Sequence, residues 1–165
     1  MSPASATPLL LPVDGRQSAT ALSVQRGTRR LLAAMGHVSL PEFVLPTGRR
    51  ADVAALAGDG GIVLVEIKSC LADFRADRKW LDYLPYCDAF YFAVTSDFPV
   101  DVLPEDAGLI LADGFGGAIM RPALPGSLAG ARRKAMTLRF ARIAALQLHR
   151  LADPEGARGH DGLQG

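Results

Sequence analysis

Two carboxylates and an ammonium group stand in one short stretch, RRADVAALAGDGGIVLVEIKSC, from Arg49 to Cys70: Asp52 near its start, then Glu66 and Lys68 as an ExK tripeptide that ends an apolar run. The segments ADVAAL and GIVLVEIK flank AGDGG, whose glycines and aspartate favour a tight turn, so the spacing predicts a β-hairpin. With the turn centred on Asp59, Asp52 falls opposite Glu66, and directly opposed residues share a face with β-carbons about 5 Å apart. The two-residue period of a strand puts Lys68 on that face as well. A bulge near Arg50 would slip this register by one residue.

Carboxylates that close repel one another, and a divalent cation relieves the repulsion by sharing oxygens from both. Magnesium suits such a pair, with manganese able to substitute, because it takes one or two carboxylates and keeps waters for a phosphate-bearing substrate. Lys68 is no metal ligand, but it could orient or help deprotonate an attacking water and stabilise charge on the phosphate. Many ExK tripeptides are simply solvated ion pairs on helices. This one ends an apolar strand and has an aspartate in hairpin register, which favours a site.

Other elements must hold these groups in place. SATALSVQRGTRRLLAAMGH has apolar residues near helical spacing and a Gly-His stop, predicting an amphipathic first helix. SLPEFVLP reads as a short strand before the hairpin. DFRADRKWLDYLPY reads as a charged helix capped by Asp73 or a neighbour. AFYFAVTS reads as a buried strand, GLILAD and GAIMRP as two short ones, and SLAGARRKAMTLRFARIAALQLHRLA as a long closing helix. The expected class is α/β, a mixed sheet flanked by helices. Residues 17–152 are expected to form one domain between flexible tails, 1–16 and 153–165.

At 165 residues, 49% hydrophobic and 21% charged, the chain has globular composition and no apolar run long enough to span a membrane. Its first residues make a poor secretory signal, so a cytoplasmic protein is expected. Cys70 and Cys87 lie outside any CxxC spacing and read as reduced, partly buried thiols. The net charge of +1 conceals an acidic centre: residues 52–113 hold twelve acidic against four basic residues, and residues 114–152 hold seven basic and no acidic ones. That distribution suits cations in a site and a polyanion around it. The histidines show no ligand spacing, and without a GxxxxGK[ST] loop no nucleotide cofactor is expected.

Asp52, Glu66 and Lys68 resemble the D and ExK motifs of the PD-(D/E)xK nuclease superfamily. GRRADVAAL, VEIKSCLADFRADRKWLDYLPYCDAFYFAV and ARRKAMTLRFARIAAL resemble the MmcB-like DNA repair proteins of that superfamily, and the similarity covers roughly residues 20–150. The resemblance implies a restriction-endonuclease-like αβββαβ core, with Asp52, Glu66 and the Ile67 carbonyl holding Mg²⁺ and Lys68 as the catalytic lysine. Ala51 replaces the motif's proline. Gln25 stands where many active members carry an acid on the first helix, and Glu42, on the strand before the hairpin, is the candidate substitute.

The resemblance also gives Lys79 and Tyr83 a supporting role, since four residues apart on a helix they would share a face; Trp80 and Leu84 would then form the adjacent, core-facing stripe. On the last helix Arg132, Arg139, Arg142, His149 and Arg150 make a basic stripe beside the dry stripe of Met136, Phe140, Ala144 and Leu151, and would follow DNA phosphates without reading bases. Arg26 and Arg30, with Arg29, form a weaker set on the first helix. The expected function is a magnesium-dependent deoxyribonuclease acting on damaged or branched DNA, with other repair proteins as further partners. The alternative is a DNA-binding accessory that keeps the fold and turns over poorly or not at all. A site of this kind would address a phosphate of RNA equally, and the residues carry no argument for or against a homodimer.

Overall fold

The computed structural model describes residues 18–75 and 79–156; the predicted N-terminal tail, residues 157–165 of the C-terminal one, and residues 76–78 lie outside the described residues. Helix α1 (Ala19–Ala34) starts where the Ser18 hydroxyl accepts a hydrogen bond from the Ala21 amide at 3.1 Å, satisfying one of the donors a helix start leaves open. Three strands follow, β1 (Val38–Val44), β2 (Arg50–Leu56) and β3 (Ile62–Ile67). After a short helix α2 (Leu71–Arg75) and a 3₁₀ helix (Lys79–Tyr86) come β4 (Ala89–Val94), β5 (Gly108–Ala112), β6 (Gly117–Arg121) and helix α3 (Gly130–Ala152). The strands form one sheet in chain order. Neighbours are antiparallel except β3–β4 and β4–β5, which are parallel. This is the predicted mixed sheet between helices, with the αβββαβ order at its start. No helix among the described residues is long and apolar enough to cross a membrane.

Strand β3 is apolar almost throughout because the sheet is covered on both faces. On one face Val53, Val65, Ala93 and Ile110 pack with Val24 and Leu32 of α1. On the other, Leu64, Phe90 and Phe92 pack with Tyr83 of the 3₁₀ helix and Met136 of α3. Gly27 lets α1 approach the β5–β6 turn: a β-carbon there would collide with the Asp113 carbonyl.

Of the single charged helix predicted over DFRADRKWLDYLPY, the described residues form α2 up to Arg75 and a 3₁₀ helix from Lys79, and Asp73 lies within α2 rather than before it. The reason lies in the aromatic spacing. Trp80, Tyr83 and Tyr86 recur every third residue and turn inward, while Leu81, Asp82, Leu84 and Pro85 are exposed, a period of three that suits a 3₁₀ helix. Leu84 is therefore not a core residue. Trp80 packs on Phe90 and Phe92, and Tyr83 stacks on Phe90. Both cysteines are free, but only Cys87 is buried, and burial pushes its thiol up to about 12; Cys70 is exposed, against expectation.

Candidate metal and nucleic-acid site

The β2–β3 ladder runs from Leu56↔Ile62 to Val53↔Val65, the register predicted from a turn at Asp59, and ends one pair short of Asp52 and Glu66. The turn closes with Gly60 at φ 90°, a left-handed conformation that glycine adopts without strain. Past Val53 the Asp52 side chain takes a hydrogen bond of its own: Oδ2 accepts from the Ile67 amide at 2.7 Å. That bond pins the carboxylate beside the ExK backbone.

On the other side, β1 pairs Pro41 with Val53 and Phe43 with Ala51, which brackets Glu42 opposite Asp52. Glu42 has φ 51°, the left-handed region that side chains rarely adopt. The strand kinks there, so Leu40 and Phe43, three residues apart, reach the same core cluster. Ala51 and Ala54 of β2, also three apart, do the same, so the irregularity spans both strands at Glu42 and Asp52, close to Arg50, without shifting their register. Glu42 of β1 thus lies across from Asp52 of β2, whose carboxylate reaches the Ile67 amide of β3.

Lys68 is only 5% exposed, and its Nζ lies 3.8 Å from Oε1 of Glu66, itself largely buried. Burial raises the Asp52 pKa above the ordinary carboxylate value; the Ile67 amide, Lys68 and Arg50 pull it down, and the charge of Glu42 adds to the rise. Glu42 Oε1 is buried, receives no hydrogen bond, and has Nη1 of Arg50 at 3.8 Å.

Among the described residues, no three His, Cys, Asp or Glu side chains converge in the manner of a closed metal cage. Asp52 and Glu66 are the carboxylates that could hold a magnesium ion, which takes one or two carboxylates and leaves its remaining positions to water and substrate. The desolvated charge of Asp52 and the hydrogen-bond-free oxygen of Glu42 are what a cation would relieve.

Supporting groups approach from both layers. From α1, Gln25 donates through Nε2 to the Asp52 carbonyl at 3.5 Å, which brings the first helix to the site. Tyr83 donates its hydroxyl to the Arg50 carbonyl at 3.0 Å, fixing the start of β2 from the core side. Lys79 is exposed and does not share a face with the buried Tyr83, because in a 3₁₀ helix residues four apart differ by a third of a turn.

The predicted basic stripe of α3 divides. Arg139, Arg142 and Arg150 line a cavity of about 520 Å³ between α3 and β1, with Glu42 and Arg50 in its opposite wall. Arg132 lies elsewhere, donating to the Pro85 carbonyl at 3.2 Å with its guanidinium 4.9 Å from the Tyr86 ring centroid. Neighbouring Arg133 makes two 2.7 Å bonds to Asp88 and ties α3 to the start of β4. Arg26 and Arg30 are exposed on α1, which packs on the opposite face of the sheet, so they do not extend the α3 surface. Arg30 donates to the Phe115 carbonyl at 3.2 Å. Sequence reasoning missed Arg50 as a member of this site. Its position two residues before Asp52 was the available signal.

The fold is similar to that of the SPO1766 protein of Silicibacter pomeroyi, whose function is unknown, with 44% sequence identity and a TM-score of 0.81 over 84% of this chain and 95% of that one. No curated protein matches. Residues 10–155 match the family described as DNA repair protein MmcB-like, and the chain therefore belongs to the MmcB-like DNA repair protein family.

Proposed function

We propose that this protein acts in DNA repair as a magnesium-dependent nuclease of the PD-(D/E)xK type, hydrolysing a phosphodiester of damaged or branched DNA. The observation that carries the reading is the buried Lys68 ammonium, 3.8 Å from Glu66, on the strand where the Asp52 carboxylate is tied to the Ile67 amide. Burying an ion pair is expensive and seldom the cheapest way to stabilise a fold. A trio placed at the end of an otherwise apolar strand fits a role in chemistry. The family's description supports the DNA repair part of the reading.

Asp52, Glu66 and the Ile67 carbonyl would hold the cation, which supplies a Lewis acid for the phosphate and lowers the pKa of bound water. Lys68, kept in place by Glu66, would orient the attacking water and offset negative charge that grows on the phosphate oxygens. Gln25 and Tyr83 hold the backbone on either side of Asp52, at the Asp52 and Arg50 carbonyls, so they act as positioning residues. Arg139, Arg142 and Arg150 would bind backbone phosphates and make affinity fall steeply with salt.

A second reading has its own support: a DNA-binding accessory with little or no turnover. The first helix offers Gln25 rather than an acid, and no third carboxylate joins a closed cage among the described residues. Incubation of linear, nicked and branched DNA with Mg²⁺ or Mn²⁺, against chelator, separates the two. Metal-dependent cutting that disappears in Lys68→Ala while binding persists supports the nuclease. Salt-sensitive binding without cutting of any substrate sinks it and leaves the accessory.

A further inference from the structure

The cavity between β1 and α3 has a composition that a duplex backbone does not explain. Arg50, Arg139, Arg142 and Arg150 supply positive charge, but Val44, Ile143 and Leu146 make a substantial apolar wall between them. Its size, about 520 Å³, lies in the range of cavities that enclose a small ligand. Glu42 belongs to this cavity and also lies across from Asp52 on the neighbouring strand. Whatever fills the cavity therefore lies next to the candidate hydrolytic site.

Duplex DNA keeps the faces of its bases stacked inside and would present only phosphates and groove edges to this wall. A free inorganic anion would satisfy the arginines and leave the apolar surface wet. An unpaired nucleotide has both parts, an anionic phosphate and a flat, largely apolar base that gains from leaving water. We propose that this cavity is a subsite for one unpaired deoxynucleotide adjoining the phosphodiester to be cut, so that the protein selects DNA carrying a single-stranded arm. The inference rests on the DNA reading above and adds the substrate's form to it.

The test is fluorescence anisotropy on the full chain in chelator, so that no cutting intervenes, with a blunt duplex, the same duplex bearing an unpaired arm, and that duplex with an arm of abasic residues. The natural arm is expected to tighten binding roughly tenfold, the contribution of about one buried base. The abasic arm should lose most of that gain. Leu146→Glu, at a partly buried position and with circular dichroism confirming that the variant folds, should bring armed DNA toward the blunt-duplex affinity, and Leu146→Met should keep the preference. Equal affinity for blunt and natural armed duplexes, or for natural and abasic arms, overturns the subsite and leaves DNA binding standing. Absence of binding to every DNA overturns both.

Discussion

The two ion pairs Lys68–Glu66 and Arg133–Asp88 join similar groups on different terms. The second is short and two-pronged at 2.7 Å, with side chains 36% and 28% exposed. The first is longer, 3.8 Å, with side chains 6% and 12% exposed. Arg133 also reaches the Gly60 carbonyl, and Asp88 accepts from the Ile62 amide, so this pair ties α3, β4 and the hairpin together. Arg133 bonds hold the Asp88 carboxyl below the usual range, whereas burial holds Asp52, beside Lys68, above it. The difference teaches which charges serve the fold: those of Asp88 and Arg133 have close partners and water nearby, while those at the hairpin end are desolvated and held near one another.

The largest effect should come from Lys68→Met, which leaves the Glu66 charge buried without its ammonium. Urea unfolding should show a loss of about 3–5 kcal/mol, with most of it restored in Glu66→Gln/Lys68→Met. A loss in the single variant no greater than that of Asp88→Asn would break the contrast. Asp88→Asn should cost less than half as much, because solvent screens that pair, and its cost should shrink further in high salt.

Asp52→Asn sharpens the contrast by changing sign. It removes a desolvated charge, keeps an oxygen for the Ile67 amide, and should raise the midpoint of thermal unfolding at neutral pH by roughly 2–4 °C. The metal-dependent cleavage proposed above should disappear in the same variant. A lowered midpoint would mean that the Asp52 charge stabilises the fold.

The smallest effect is in the pH dependence of these two variants. Because the folded-state pKa of Asp88 is lowered, its stabilisation is present above the unfolded carboxylate value, about 3.9, and is lost as pH falls through the lower folded one. The raised pKa of Asp52 works the other way: the folded state holds its proton more tightly, so the cost of that charge fades as pH falls through the folded value. The loss in Asp88→Asn and the gain in Asp52→Asn should therefore both dwindle in acid, the gain at higher pH. Stability profiles of the two variants that move in parallel from neutral pH downward would contradict this assignment.

The hairpin was readable because its register is local. A turn at Asp59 and Gly60 sets which residues meet, and the pairing Val53↔Val65 follows from it. The 3₁₀ helix was misread because the charged text suited a helix of ordinary pitch. The three-residue recurrence of Trp80, Tyr83 and Tyr86 carried the correction. The basic stripe of α3 was readable as a stripe, but not its division, since Arg132 and Arg139 differ only in what the fold brings beside them, the Tyr86 ring in one case and β1 in the other.

The succession of strands along the chain and the hairpin register were legible in the residues alone, because periodicity and turn chemistry act over a few neighbours. Only the tertiary structure decided that Glu42 faces Asp52 from a kinked β1, that Gln25 reaches the Asp52 carbonyl from α1, and that three arginines of α3 close a cavity beside them. Those juxtapositions join residues far apart in the chain, and packing of the two helical layers on one sheet is what brings them together.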